Sequence, residues 1–414
     1  MNQKRRDIMA NNIRRLAAAV LAFFFLPVSC AAEADEKPEQ KADKDASAGA
    51  AGNSAAAGVS AASSPLTVVG YYASWSAYSG YTPDKIPADK TDVISYAFAK
   101  IDGGLKIALG DPGVDAKNFA ALAALKRKYP ALKTVVSVGG WNGSGKFSDA
   151  ALTSESRSAF AASAVAFVRK YGFDGIDVDW EYPVSGGLSS NTARAADKGN
   201  FTLLMAALRK ALDAAGAKDN KHYLLSFAGA SESFYAKNVQ LDKLAQYADY
   251  GFLMAYDMHG SWNKYTDFNA PLYAPPEASG QPKWNCDAAV RLWTNGGFPK
   301  SKMILGIPFY GNVYDGVKNA NNGLYQKYAS VGALPFDGIA SKYLGSPSYK
   351  RYFHETAKVP WLFGNSVFVS YEDAQSAALK ARYIAGSGLK GAGVWELSQN
   401  RDGTLLGAIR GETG

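Results

Sequence analysis

Residues 174–181 read Asp174-Gly-Ile-Asp177-Val-Asp179-Trp-Glu181, four carboxylates in eight positions, interleaved with apolar side chains. Along an extended strand successive side chains face opposite ways. Asp177, Asp179 and Glu181 then share one face, while Ile176, Val178 and Trp180 share the other. A strand closed into a barrel is buried on both faces, so the acidic row is expected to point inward and the apolar row toward covering helices. A solvated acidic loop and a calcium site of carboxylate oxygens are the plain alternatives, and strict alternation with Ile, Val and Trp argues against both. No matching run of Lys or Arg lies nearby to neutralise the acids. Such a row destabilises a fold, so the stretch reads as a catalytic strand.

Working outward, short apolar runs recur at Thr67–Ala73, Val93–Phe98, Lys133–Gly139, Gly175–Glu181, Tyr223–Gly229, Tyr250–Tyr256, Met303–Pro308 and Gly391–Trp395. Helical patterns separate most of them: Phe119–Lys128, Ser154–Tyr171, Asn200–Ala215, Leu241–Tyr247, Cys286–Asn295 and Tyr371–Ile384. Continuous apolar strands alternating with amphipathic helices predict a parallel sheet covered on both faces. Eight such units fit an α/β fold of the (β/α)8 TIM barrel type. One connection is far longer than the usual loop of about 2–6 residues. Between Pro308 and the helix near Tyr371 it carries Tyr314, Leu324, Tyr325, Tyr328, Phe336, Tyr343, Tyr349, Tyr352, Phe353, Trp361 and Phe363. That density of aromatics predicts a small packed insertion over about 312–370, after strand seven, walling a cleft on the face where barrel active sites are built.

The first thirty residues differ in texture. Lys4, Arg5, Arg6, Arg14 and Arg15 precede an apolar run from Leu16 to Val28, too short to span a bilayer. Residues 1–30 therefore read as an export signal. Cleavage after Ala31 gives a secreted protein; lipidation of Cys30 gives one anchored at the cell envelope. Residues 31–64, rich in Ala, Gly, Ser and charges, read as a disordered tether, and residues 65–414 as the barrel domain. The formal charge of +8 falls to +4 without the leader, which holds five basic residues and Asp7, so nucleic acid is not an expected partner. Cys30 and Cys286 are the only cysteines, which leaves no disulfide framework. His222, His259 and His354 have no metal-ligand spacing. No metal or cofactor is expected, the only expected membrane link is the lipid on Cys30, and a monomer is expected.

Carboxylates two apart on a strand lie about 7 Å apart, and at an effective dielectric near 20 they repel by roughly 2.4 kcal/mol. With some desolvation by Trp180 this holds one proton near neutral pH. Glu181, outermost, is the candidate general acid, with Asp179 and Asp177 the charged partners that keep it protonated. Two acids in an aromatic-rich cleft point to glycoside hydrolysis, and their spacing leaves retention and inversion open. Gly140-x4-Gly145-Lys146 imitates a phosphate loop, but Phe147 stands where Ser or Thr is needed. Trp141 to Lys146 reads as a rim loop instead.

Residues 174–183, Asp-Gly-Ile-Asp-Val-Asp-Trp-Glu-Tyr-Pro, resemble the signature of glycoside hydrolase family eighteen, the chitinases. Ser137-Val-Gly-Gly-Trp141, Met254-Ala-Tyr256-Asp257, Gly306-Ile-Pro-Phe-Tyr310-Gly and Val394-Trp395-Glu396 resemble the motifs of its strands three, six, seven and eight. The inserted segment is similar to the α+β insertion of the deep-cleft subgroup. The resemblance implies a secreted hydrolase of β-1,4-linked N-acetylglucosamine, with chitin or its oligosaccharides as partner, and substrate-assisted retention. Glu181 is then the acid, Asp179 turns to the acetamido N–H, and Asp177 shares its proton. Tyr256 and Asp257 match the acetamido clamp, Tyr71 and Ser137 the floor, and Trp395 the apolar base under the reacting sugar. Phe98, Gly139, Gly140, Trp141, Asn142, Tyr182, Met254 and Ala255 complete the implied sugar-binding set. Asn312 stands where many relatives have Arg, which bears on subsite affinity. An enzyme trimming N-glycans and a non-catalytic sugar-binding lectin are the alternatives. The retained acids oppose the lectin, and Trp180-Glu181-Tyr182-Pro183 together with the insertion opposes the trimming enzyme.

Overall fold

The structure is a computed structural model describing residues 66–277 and 284–412. The expected export signal, the tether and Cys30 lie outside the described residues. Eight strands form a closed parallel barrel: β1 (Thr67–Ala73), β2 (Val93–Ile101), β4 (Lys133–Gly139), β5 (Gly175–Asp179), β6 (Leu224–Ala230), β7 (Tyr250–Met254), β8 (Met303–Pro308) and β14 (Gly391–Trp395). β1 pairs with both β2 and β14, and this closes the sheet. β3 (Ile107–Ala108) is a short antiparallel addition to β2. Helices between the strands cover the outside, giving the (β/α)8 architecture.

Alternation along the strands sorts side chains into two cores. Ile176, Val178 and Trp180 join the outer core between sheet and helices. There Trp180 stacks on Phe147 at 5.4 Å and meets Phe201 edge-on at 5.6 Å. Phe147, which spoils the phosphate-loop pattern, is thus a core residue. Val69, Val93, Val135, Ala228, Phe252 and Ile304 fill the barrel interior. Helix boundaries follow local capping. Thr153 accepts from the Ser156 amide at the start of Ser154–Tyr171, and Gly172 ends that helix in the left-handed region. The last long helix begins at Ala374 rather than Tyr371, because Asp373 caps it by accepting from the Ser376 amide. The helix expected over 200–215 spans Asp197–Asp219. Asp197 anchors its start, accepting from the Ser148 hydroxyl at 2.7 Å.

After β8 the chain forms a second, antiparallel sheet of β9 (Tyr310–Asp315), β10 (Ser330–Pro335), β11 (Lys350–His354), β12 (Val359–Gly364) and β13 (Val367–Ser370), in the order β10-β9-β13-β12-β11. It begins at Tyr310, directly off the barrel. Tyr314, Leu324, Trp361, Phe363 and Phe368 form its own core, which also buries Phe268 from the segment after β7. That shared phenylalanine fixes the sheet against the barrel mouth.

Candidate active site

β5 ends at Asp179, two residues short of the expected Glu181. Asp179 is the last residue of the β4–β5 ladder, opposite Gly139, and its carbonyl accepts from the Gly140 amide at 2.9 Å and from the Ser144 hydroxyl at 3.1 Å. Gly139 makes this approach possible: at φ 110° it has a backbone that side chains rarely adopt, and a Cβ there would lie 2.2 Å from the Asp179 oxygen. The Glu181 amide donates to Ser144 Oγ at 2.8 Å, and Asn191 Nδ2 donates to the Glu181 carbonyl at 3.1 Å. Glu181 therefore stands just past the strand, on a main chain clamped from both sides, with its half-buried side chain open to the cleft.

The three acids occupy different environments. Asp177 is buried mid-strand and accepts three hydroxyl bonds: Ser226 at 2.6 Å on Oδ1, and Ser137 at 2.7 Å and Tyr71 at 2.8 Å on Oδ2. Burial raises its carboxyl, and the three donors hold it back. Asp179 is 3% exposed, and its Oδ1 has no hydrogen-bond partner. Burial first, and then the charges of Glu181 and Asp177, push it well above the ordinary carboxyl range. Burial also lifts Glu181 to about 7; the Tyr182 hydroxyl opposes this and the charge of Asp257 adds to it. The aspartates were expected to be what keeps Glu181 protonated. Glu181 and Asp179 repel each other and both carboxyls are raised, so the pair retains a proton, with burial the main cause and Asp257 adding to it on the Glu181 side.

Asp257, with φ 55°, lies three residues beyond β7. The Asn269 side chain accepts from its amide at 3.0 Å, and Tyr310 donates to its Oδ1 at 2.5 Å. The Asn269 amide in turn donates to Ser370 Oγ at 2.8 Å, and Asn312 Nδ2 donates to the His259 carbonyl at 2.8 Å. The inserted sheet thus braces the Asp257 turn through β9 and β13. Tyr256 sits in the interior core, where burial and then the surrounding carboxylates keep its phenol protonated, a donor facing the acids. On the other side Trp395, at the end of β14, lies 5.4 Å from Tyr71 and is nearly parallel to Phe98 at 5.8 Å. Phe98 leads on to Trp75 at 6.3 Å, which is 48% exposed. A row of ring faces therefore runs from the acids toward the rim at β1 and β2.

The fold brings together Tyr71, Phe98, Ser137, Gly139, Gly140, Asp177, Asp179, Glu181, Met254, Tyr256, Asp257 and Trp395. Trp141 and Tyr182, meeting edge-on at 6.5 Å, form the rim beside them, and Asn142 is exposed on the same loop. Ala255 does not belong with them. Met254 and Tyr256 point inward, so the intervening methyl group turns outward and is buried in the outer core near Cys286. Ser226, Ser144, Asn191, Asn269, Tyr310, Ser370 and Trp75 were missed as site residues. A signal existed for Ser226, a lone hydroxyl on the inward face of an apolar strand, in register with Asp177. Among the described residues no group of three His, Cys, Asp or Glu side chains is placed to hold a metal ion.

This arrangement holds a proton on an acid at the mouth of a barrel, beside an aromatic floor. The sequence profile described as Glycosyl hydrolases family 18 matches residues 67–400. The chain belongs to glycosyl hydrolase family 18. It is a glycoside hydrolase with the (β/α)8 barrel of its family. It is 40% identical over 405 residues to chitinase A1 of Niallia circulans, covering 83% of this chain and 58% of that protein. The chain thus spans little more than half of that relative's length. Among solved structures, chitinase ChiA74 from Bacillus thuringiensis superposes with a TM-score of 0.79 at 33% identity, covering 85% of this chain and 70% of the other. A family 18 N-acetylglucosaminidase from Paenibacillus barengoltzii superposes with a TM-score of 0.77 at 34% identity, over 84% of this chain and 99% of the other.

Proposed function

We propose that this protein hydrolyses β-1,4 bonds between N-acetylglucosamine units of chitin, with retention and with the substrate's acetamido group as the nucleophile. The observation that carries the reading is the buried, unpartnered Oδ1 of Asp179, set between a fully bonded Asp177 and a protonated Glu181. A buried acceptor without a donor is costly, and an acetamido N–H supplies that donor. Glu181 gives its proton to the bridging oxygen as the acetamido carbonyl oxygen attacks the anomeric carbon. The bond to the leaving sugar breaks, and an oxazolinium ion forms whose charge Asp179 stabilises. Glu181, now a carboxylate, takes a proton from water as the oxygen of that water opens the ring, restoring the acid. Asp177 is held in place by three hydroxyls and shares the proton load of Asp179.

The two relatives named as chitinases and the aromatic row Trp395–Phe98–Trp75 support a chain-like amino-sugar substrate. The apolar face of a pyranose loses water against such rings, which orients the sugar. Defined N-acetylglucosamine oligomers test the proposal. The first product resolved by NMR is expected to be the β-anomer, and oligomers lacking the acetyl group at the scissile sugar are expected to stay intact. An α-anomer, or equal rates on the deacetylated chain, would end the reading. Export from the cytoplasm belongs to the same proposal and is supported by the basic and apolar run before Val28. The N-terminal mass of the mature protein decides between cleavage after Ala31 and lipidation of Cys30.

A further inference from the structure

Glu396 follows Trp395 at the exit of β14 and is 3% exposed, a buried acid that the reaction above does not use. Its carboxyl oxygens accept from the Ser398 amide at 2.9 Å, from the Ser398 hydroxyl at 2.5 Å and from the Ala73 amide. Ser398 belongs to the turn that Glu396 opens, whereas Ala73 is the last residue of β1. One side chain thus ties together the exits of two neighbouring strands. Leu397 packs into the same seam: a Cβ on Gly70 of β1 would lie 2.7 Å from its Cδ1.

Ala73 also opens the short 3-10 helix Ser74–Ser79, which carries Trp75. The far end of that helix is held from the same direction. Arg401 donates through Nη2 to the Ser79 hydroxyl at 2.8 Å and through Nε to the Ser398 carbonyl at 3.3 Å. Its own amide donates to both oxygens of Asp337 at 3.2 Å, in the short helix Phe336–Ile339 that follows β10. The segment bearing Trp75 is therefore held at its start by Glu396 and at its end by Arg401. Trp395 is fixed separately: its carbonyl accepts from the Phe309 amide at 2.8 Å, and it pairs in register with Pro308 of β8.

Trp75 is the outermost ring of the row, joined to Trp395 only through Phe98, and it is 48% exposed. An exposed ring on a short helix binds well only if its place is fixed beforehand, because the entropy lost in ordering it would otherwise oppose binding. We infer, on the hydrolase reading proposed above, that Glu396 and Arg401 are positioning residues that hold Trp75 in line with Trp395. They thereby set the preference for long N-acetylglucosamine chains over short ones, since only a long chain reaches the outermost ring.

The test compares two substrates of the full chain: the N-acetylglucosamine hexamer, and a disaccharide with a chromophoric leaving group, which is too short to cover the whole row. Glu396→Gln keeps the shape of the side chain but offers one accepting oxygen to three donors. KM for the hexamer is expected to rise on the order of tenfold, the lower worth of a hydrogen bond to a charged group. Its kcat, and both constants on the disaccharide, should stay as in the parent. Arg401→Ala, at a more exposed position, should raise the hexamer KM less, and it keeps the test open if Glu396→Gln folds poorly. In a Trp75→Ala background Glu396→Gln should add nothing, because the pair acts through one ring. Loss of folded protein lowers the rate on both substrates alike and cannot imitate this split. A hexamer KM unchanged in both variants, an equal loss on the two substrates, or a loss that persists without Trp75 overturns the assignment. A parent that turns over neither substrate would instead sink the hydrolase reading, and the assignment with it.

Discussion

Glu181→Gln should abolish turnover and at the same time stabilise the protein, by an amount that depends on pH. The Glu181 carboxyl titrates at about 7 in the fold, against 4.5 for an ordinary glutamate. Between those values the native state binds a proton that the unfolded chain has released. Stability from this group is therefore fully present below pH 4.5 and lost as pH rises to about 7. The interval corresponds to roughly 3 kcal/mol at about 1.4 kcal/mol per pH unit. Water reaching the half-buried side chain reduces this to about 2 kcal/mol. A neutral amide carries no such penalty, so Glu181→Gln should gain its advantage only at the alkaline end. With an unfolding entropy of about 2.1 cal/mol/K per residue, a domain of this size gains roughly 3 °C in Tm. Calorimetric scans of both proteins below pH 4.5 and above pH 7 provide the assay. A Tm difference that stays constant across that range would refute the burial account of this acid, whatever the variant's activity.

Ser226→Ala removes the only donor to Asp177 Oδ1 among the described residues. A hydrogen bond to a charged group is worth about 1.5–3 kcal/mol. The acidic limb of kcat/KM is expected to move up by about one pH unit; an unmoved limb with lowered activity would assign Ser226 a packing role only. Lys380→Met probes the fold rather than the chemistry. The Lys380 ammonium is fully buried, bonded to Glu372 and to the Ala270 carbonyl at 2.6 Å. Loss of the cation leaves Glu372 uncompensated and should cost about 3–5 kcal/mol in denaturant unfolding; a cost under about 1 kcal/mol would show that Glu372 simply protonates.

What the sequence determined by itself was whatever repeats along the chain. The alternation in 174–181 set the acids against the apolar residues, because side chains on a strand reverse at each step whatever surrounds them. The eight apolar runs and the intervening helices announced a covered parallel barrel for the same reason, and the dense aromatics after Pro308 announced the inserted sheet. Tertiary structure alone decided where the strand stops and what holds each proton. Asp179 ends the ladder opposite Gly139, and Gly140 and Ser144, some forty residues earlier, hold its carbonyl there. Glu181 owes its raised titration first to burial, with the charge of Asp257, from the turn after β7, adding to it. The turn bearing Asp257 is held by Tyr310, which the strand-seven motif contains, and by Asn269 and Ser370, residues with no local pattern to mark them. Hydrogen bonds and charges act through space, and only closure of the barrel brings these groups within their range.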